Sequence, residues 1–171
     1  ASDACFALTN FNLEVTSEPE PVQPTVYRLC DDTASGSDID GITNNFRLST
    51  KDTEILGSLN ATQYAVSYHT SLADAQTSST TNPINKNVDY QVTNSQTIFV
   101  RVENVDNTDC NAVSNDTTGS TFTSFQLIVD PLPVIKTNPV IMKQCDDNPD
   151  LITTFNLTEA EINISDNRAN E

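Results

Sequence analysis

The chain has 171 residues, with 24 acidic against 8 basic side chains and a formal net charge of −16 at pH 7. That balance leaves no basic patch to neutralise phosphates, which excludes nucleic-acid binding by counterion release, and an anionic membrane surface would repel it. Hydrophobic residues reach 36%, Trp is absent and Gly numbers four, so the sequence supplies one modest core edged by Thr, Ser, Asn and Asp turns rather than a disordered tail.

In chain order, the first landmark is Phe11-Asn12-Leu13-Glu14-Val15, an alternating segment with Cys5 upstream and Pro19, Pro21 and Pro24 downstream. Period-two alternation then predicts six short strands, over residues 25–30, 45–49, 63–70, 89–93, 97–103 and 121–129. The clearest is 97–103: Ile98, Val100 and Val102 share one face, Phe99, Arg101 and Glu103 the other, which makes the branched trio inward and the strand central. Two stretches, 49–56 and 71–75, read as short helical connectors with Ser or Thr caps.

Two landmarks repeat. Leu29-Cys30-Asp31-Asp32 leading to Phe46-Arg47-Leu48 recurs about 115 residues later as Gln144-Cys145-Asp146-Asp147 leading to Phe155-Asn156-Leu157. Phe11 to Val15 likewise recurs as Phe125-Gln126-Leu127-Ile128-Val129, with Cys110 upstream and prolines downstream. The echo implies a tandem array: residues 1–16 as the last strand of one repeat, 17–24 as a proline-rich spacer, 25–130 as a complete repeat, 131–139 as a second spacer, and 140–171 as the head of the next. Proline fixes φ and removes a donor, so both spacers are expected to be stiff and extended. Strand count and repeat length predict an all-β fold of tandem immunoglobulin-like β-sandwiches with short helical turns in the connections. The strands over 6–15 and 140–157 are expected to need neighbouring sequence or another molecule to pair with.

The four cysteines lack any CxxC spacing, so a zinc knuckle is excluded and disulfides are the expectation. Four cysteines permit three connectivities, and the sequence does not choose among them. Cys30 with Cys110 lies within the complete repeat, is the one favoured, and closes a loop of about 80 residues, worth roughly 4 kcal/mol in the chain-entropy model. The rival joins Cys5 to Cys30 and Cys110 to Cys145 across the spacers. Both need oxidising surroundings.

Candidate chemistry is sparse. In the loop from Asp31 to Gly41, Asp31, Asp38 and Asp40 offer hard oxygens on a turn, the donor set calcium prefers, although a distal bidentate Glu is missing and Asp is an ordinary turn residue. Calcium is the one cofactor considered. The single histidine, His69, has no Ser or Cys nucleophile in a triad-like context and reads as structural; no catalytic residue is assigned and no enzyme is expected. No stretch reaches the roughly 18 apolar residues of a membrane span, and Ala1 does not open a signal peptide, so any export signal is expected elsewhere.

One further pattern spans most of residues 25–171: Cys30-Asp31-Asp32, Asp40-Gly41-Ile42, Phe46-Arg47-Leu48, Tyr64-Ala65-Val66-Ser67-Tyr68-His69, Asn82-Pro83-Ile84 and Phe99-Val100-Arg101-Val102 in that order. It resembles the repeats of large Bacteroidota surface adhesins of the SprB type, exported through the type IX secretion system. The resemblance implies a cell-surface, outer-membrane-attached location and a structural and adhesive role in attachment and gliding. Its implied partners are neighbouring repeats, surface polysaccharide and the gliding or secretion machinery. It brings no catalytic residues. The alternative is a calcium-dependent polysaccharide-binding module using the 31–41 loop with Tyr68 and Tyr90. Asp32-Thr33-Ala34 and Asp116-Thr117-Thr118 also resemble the O-glycosylation acceptor pattern of exported Bacteroidota proteins, making Thr33 and Thr117 the modification candidates.

Overall fold

The structure, a computed structural model, describes residues 9–13, 15–115, 117, 120–132, 139–146, 148 and 150–164. Seven strands form between residues 27 and 130: β1 (Tyr27–Cys30), β2 (Ile42–Phe46), β3 (Tyr64–His69), β4 (Tyr90–Thr93), β5 (Ser95–Asn104), β6 (Asn111–Val113) and β7 (Phe125–Asp130). Short helices α1 (Asp52–Leu56) and α2 (Leu72–Thr77) lie in the connections, and α3 (Thr158–Ile164) lies near the other end of the described chain.

The larger sheet has the order β1-β7-β5-β3, with β6 also on β5; β2 and β4 pair antiparallel as a second sheet. β5 is central, as the alternation of Ile98, Val100 and Val102 predicts, and all three are fully buried. Phe46 and Leu48 from the small sheet and the turn after it meet Val66, Tyr68 and Leu127 from the large one in a single apolar cluster. The described residues are therefore mostly β, with two packed sheets and a few short helices, consistent with a β-sandwich.

The first strand runs parallel to the last, with Cys30 opposite Asp130. β7 then runs antiparallel to the first half of β5, Ser95 facing Ile128 and Ile98 facing Phe125, while β6 takes the same edge over Arg101 to Glu103. Between the two, Ser114 bridges the gap in the ladder: its N–H donates to Val100 O at 2.8 Å and its Oγ accepts from Val100 N at 2.7 Å. Val100 thus keeps partners for both its N–H and its C=O where one strand gives way to the next.

Three differences from the sequence expectations have local causes. The strand expected over 45–49 lies at 42–46, because Leu48–Lys51 close into a 3-10 turn that leads into α1. Residues 121–124 stay irregular, with Ser120 Oγ donating to Phe122 O, so β7 starts only at Phe125. β6 has three residues, too few for alternation to mark it. Among the described residues of 9–15 and 140–157 no strand forms.

The stretch 17–24 is not a free spacer. Pro19 and Pro24 are buried, Val22 N–H donates to Ile55 O at 2.8 Å, and Gln23 Oε1 accepts from Thr123 N at 2.6 Å. Gly57, at φ +53°, leaves room for this strap: a Cβ there would sit 2.5 Å from Val22 Cγ2. Residues 133–138 of the second expected spacer lie outside the described residues.

Candidate functional site

The ends of β5 define two poles, and each carries one cysteine. At the first, β1 ends on Cys30, which lies beside Asp130 where β7 leaves the sheet; Asp31 N donates to Asp130 O at 2.8 Å. The burial pattern of β1 turns Tyr27 and Leu29 toward the core and Arg28 and Cys30 outward. Arg28 pairs with Asp130 on that outer face. The Cys30 thiol is free and exposed.

At the second pole, Asn104 closes β5 by donating its N–H to Cys110 O at 3.0 Å. Its side-chain Oδ1 accepts from Asp106 N and Asn107 N, shaping the turn that presents Cys110. Beneath that turn lies an ion pair alternation alone would have left in solvent: Arg101 and Glu103 are buried, with Nε to Oε2 at 2.6 Å. Arg101 also donates to Ala75 O and to Thr108 O, tying α2 and the cysteine-bearing turn to β5. The half-buried Cys110 thiol is free and lies 3.0 Å from Thr16 Oγ1, and Asn107 Nδ2 donates to both.

This geometry corrects the favoured disulfide. Ten extended residues at about 3.3 Å each place Cys30 and Cys110 on the order of 30 Å apart, whereas a disulfide needs Cα atoms within about 7 Å. No movement short of unfolding β5 closes that distance. Cys5, half of the rival pairing, lies outside the described residues; Cys145 is free and exposed.

The acidic loop organises itself. Asp31 is buried, and its two carboxylate oxygens accept from Asp32 N at 2.8 Å and Gly41 N at 2.7 Å. Asp32 caps the 3-10 turn Thr33–Ser35 through Ala34 N and also accepts from Thr43 and Asn45. The Thr43 hydroxyl, then the Ala34 N–H, hold its carboxyl below the ordinary range. Asp40 accepts from Ser35 Oγ and Ile42 N, and Asp38 is exposed. Among the described residues no three His, Cys, Asp or Glu side chains converge as metal ligands, so Asp31, Asp38 and Asp40 are not gathered into a calcium site. Turn closure accounts for Asp31 and Asp40.

Tyr68 is likewise not a binding aromatic. It is fully buried, its hydroxyl donates to Asp52 Oδ1 at 2.8 Å, and burial beside that carboxylate pushes its pKa upward. Tyr90 is half-buried. His69 is buried between Ser67 Oγ and Thr81 O, both at 3.0 Å from its ring nitrogens, and burial lowers its pKa. Thr33 and Thr117 are both exposed; Asp116, the acid before Thr117, lies outside the described residues. No described helix is long and apolar enough to cross a membrane.

The described residues thus form a two-sheet β domain with Cys30 and Cys110 at its opposite ends. The chain belongs to the family described as the Flavobacterium inter-domain disulphide bond domain, which matches residues 26–133. Its resemblance to Bacteroidota repeats thus holds at the level of the domain. Neither a curated protein nor a solved structure matches the chain.

Proposed function

We propose that the chain is part of a giant Bacteroidota surface adhesin of the SprB type, built from tandem immunoglobulin-like repeats that disulfides connect from one domain to the next. The repeats project the parent protein from the outer membrane and carry attachment and gliding loads through sheet hydrogen bonds and core burial. The single observation behind this reading is the placement of one free thiol at each end of a domain whose family is described by its inter-domain disulphide. The sequence echo of the Cys-Asp-Asp and Phe-x-Leu landmarks adds the tandem arrangement, and an oxidising exterior suits such bonds.

Antibodies raised against residues 25–130 and applied to intact cells test it. Surface labelling, with attachment to glass and spreading both reduced by the bound antibody, is expected. Labelling that appears only after the cells are permeabilised would overturn the surface role.

A further inference from the structure

The echo between Phe11 and Phe125 aligns residue 16 with residue 130. Phe125, Leu127 and Val129 are buried in the sheet, whereas Phe11, Leu13 and Val15, in the same phase, are 80%, 87% and 95% exposed. Among the described residues, Phe11, Leu13 and Val15 therefore carry the alternation of β7 without a sheet to cover them, as fits the last strand of the preceding repeat.

The register of β1 against β7 puts Cys30 opposite Asp130. In the preceding repeat the same register puts the counterpart of Cys30 opposite Thr16, one strand spacing of about 4.8 Å away. Both side chains are on the outer face, since Cys30 and Asp130 alternate with the inward Leu29 and Val129. Thr16 is also the residue that touches Cys110, Oγ1 to Sγ at 3.0 Å. Two thiols thus flank one residue, one from each side of the boundary between repeats.

We propose that Cys110 is bonded to the Cys30 counterpart of the repeat before it, and Cys30 to the Cys110 counterpart of the repeat after it. This inference rests on the tandem reading above and differs from a staple across one spacer. In Cys110 with Cys145, the second cysteine stands at the far pole of the next repeat, away from the shared boundary. Each bond forms by thiolate attack on an oxidant disulfide through a mixed disulfide. The two thiols give up two protons and two electrons, and the oxidant leaves as two thiols.

The connectivity has a mechanical consequence. A covalent path then runs along the 35 residues from Cys110 to Cys145 and jumps a bond past the rest, so each pair of repeats contributes 35 residues to a fully stretched chain. At about 3.5 Å per residue that is roughly 60 Å per repeat. Bonds between Cys110 and Cys145 would instead leave the 80 residues from Cys30 to Cys110 free in every repeat, roughly 280 Å. The crossed pattern sharply limits how far the array lengthens when its domains unfold.

Peptide mapping of the full-length protein from the cell surface, alkylated and digested without reductant, tests the pairing. The expected products join the Cys110 peptide to a Cys-Asp-Asp peptide from the repeat on its N-terminal side, and the Cys30 peptide to a partner from the repeat on its C-terminal side. Cys110 joined to Cys145, or Cys5 to Cys30, would overturn this connectivity and leave the inter-domain disulfide reading intact. Every cysteine recovered singly alkylated, or Cys30 joined to Cys110, would overturn both. Single-molecule pulling of the same protein gives a second readout: the contour length per repeat should rise about sevenfold on adding reductant, from roughly 60 to roughly 400 Å. A threefold or smaller rise would contradict the crossed pattern.

Discussion

Residues 30–48 and 145–157 carry the same motif, and they fare differently. In both, the carboxylate after the cysteine closes the loop on a backbone N–H: Asp31 accepts from Gly41 N at 2.7 Å, Asp146 from Leu151 N at 2.7 Å. In both, the donor has positive φ, +73° at Gly41 and +61° at Leu151. Downstream the likeness ends. Phe46 and Leu48 are fully buried, whereas Phe155 is 46% and Leu157 72% exposed. Loop closure needs a few residues and forms twice; burial of Phe-x-Leu needs β3, β5 and β7 to cover it and forms once among the described residues. The motif marks a position in a sheet and does not by itself make one.

The largest break in this comparison should come from the core. Phe46→Ala empties a fully enclosed site and is expected to cost about 3–5 kcal/mol in urea unfolding, while Phe155→Ala stays within about 0.5 kcal/mol. Equal effects would mean both motifs are packed alike in solution. Next comes the closing carboxylate. Asp31→Ala leaves two backbone donors near a buried position and should cost about 1–3 kcal/mol, against less than about 0.5 for exposed Asp146→Ala.

The closing donor sharpens the contrast. At Gly41 a Cβ would lie 2.4 Å from Asn94 Oδ1, and Gly41 O accepts from Asn94 N at 2.7 Å where the chain passes from the small sheet into β5. Gly41→Ala should therefore lower stability by about 1–3 kcal/mol. Leu151→Gly, which relieves an unfavourable φ, should lower it little or raise it. A thermal melt of each variant decides.

The smallest expected effect is on pH dependence. Burial holds His69 below its ordinary value of 6.5, so the unfolded chain binds that proton more readily than the folded one. The stability His69 contributes is fully present above about pH 6.5 and is lost as pH falls from there toward its folded pKa. His69→Gln should flatten that part of the stability profile. With His69 the sole histidine, a slope that persists unchanged would have to be assigned to other groups.

Much of the fold was legible because the period of two is local. The inward trio of β5, the connectors at α1 and α2, and the structural character of His69 follow from residues a few positions apart. The disulfide pairing was not, because the sequence gives loop lengths and a bridge depends on distance: Cys30 and Cys110 belong to one domain yet stand at opposite ends of it. The calcium reading counted carboxylates, whereas the loop spends them on its own N–H groups and hydroxyls. Arg101 and Glu103 looked solvent-facing by alternation and are covered by α2 and the 104–110 turn. Thr16 carried a usable signal, its alignment with Asp130, but its contact with Cys110 required the folded turn.

The sequence by itself determined the repeated landmarks, the acidic surface and the strand pattern, since each is written in composition or in spacing along the chain. Only the tertiary structure decided which cysteines can meet, because strand register carries a residue to a pole of the sheet regardless of its distance along the chain. It also decided which aromatics and carboxylates are enclosed, because burial depends on what packs over a face and not on the face alone.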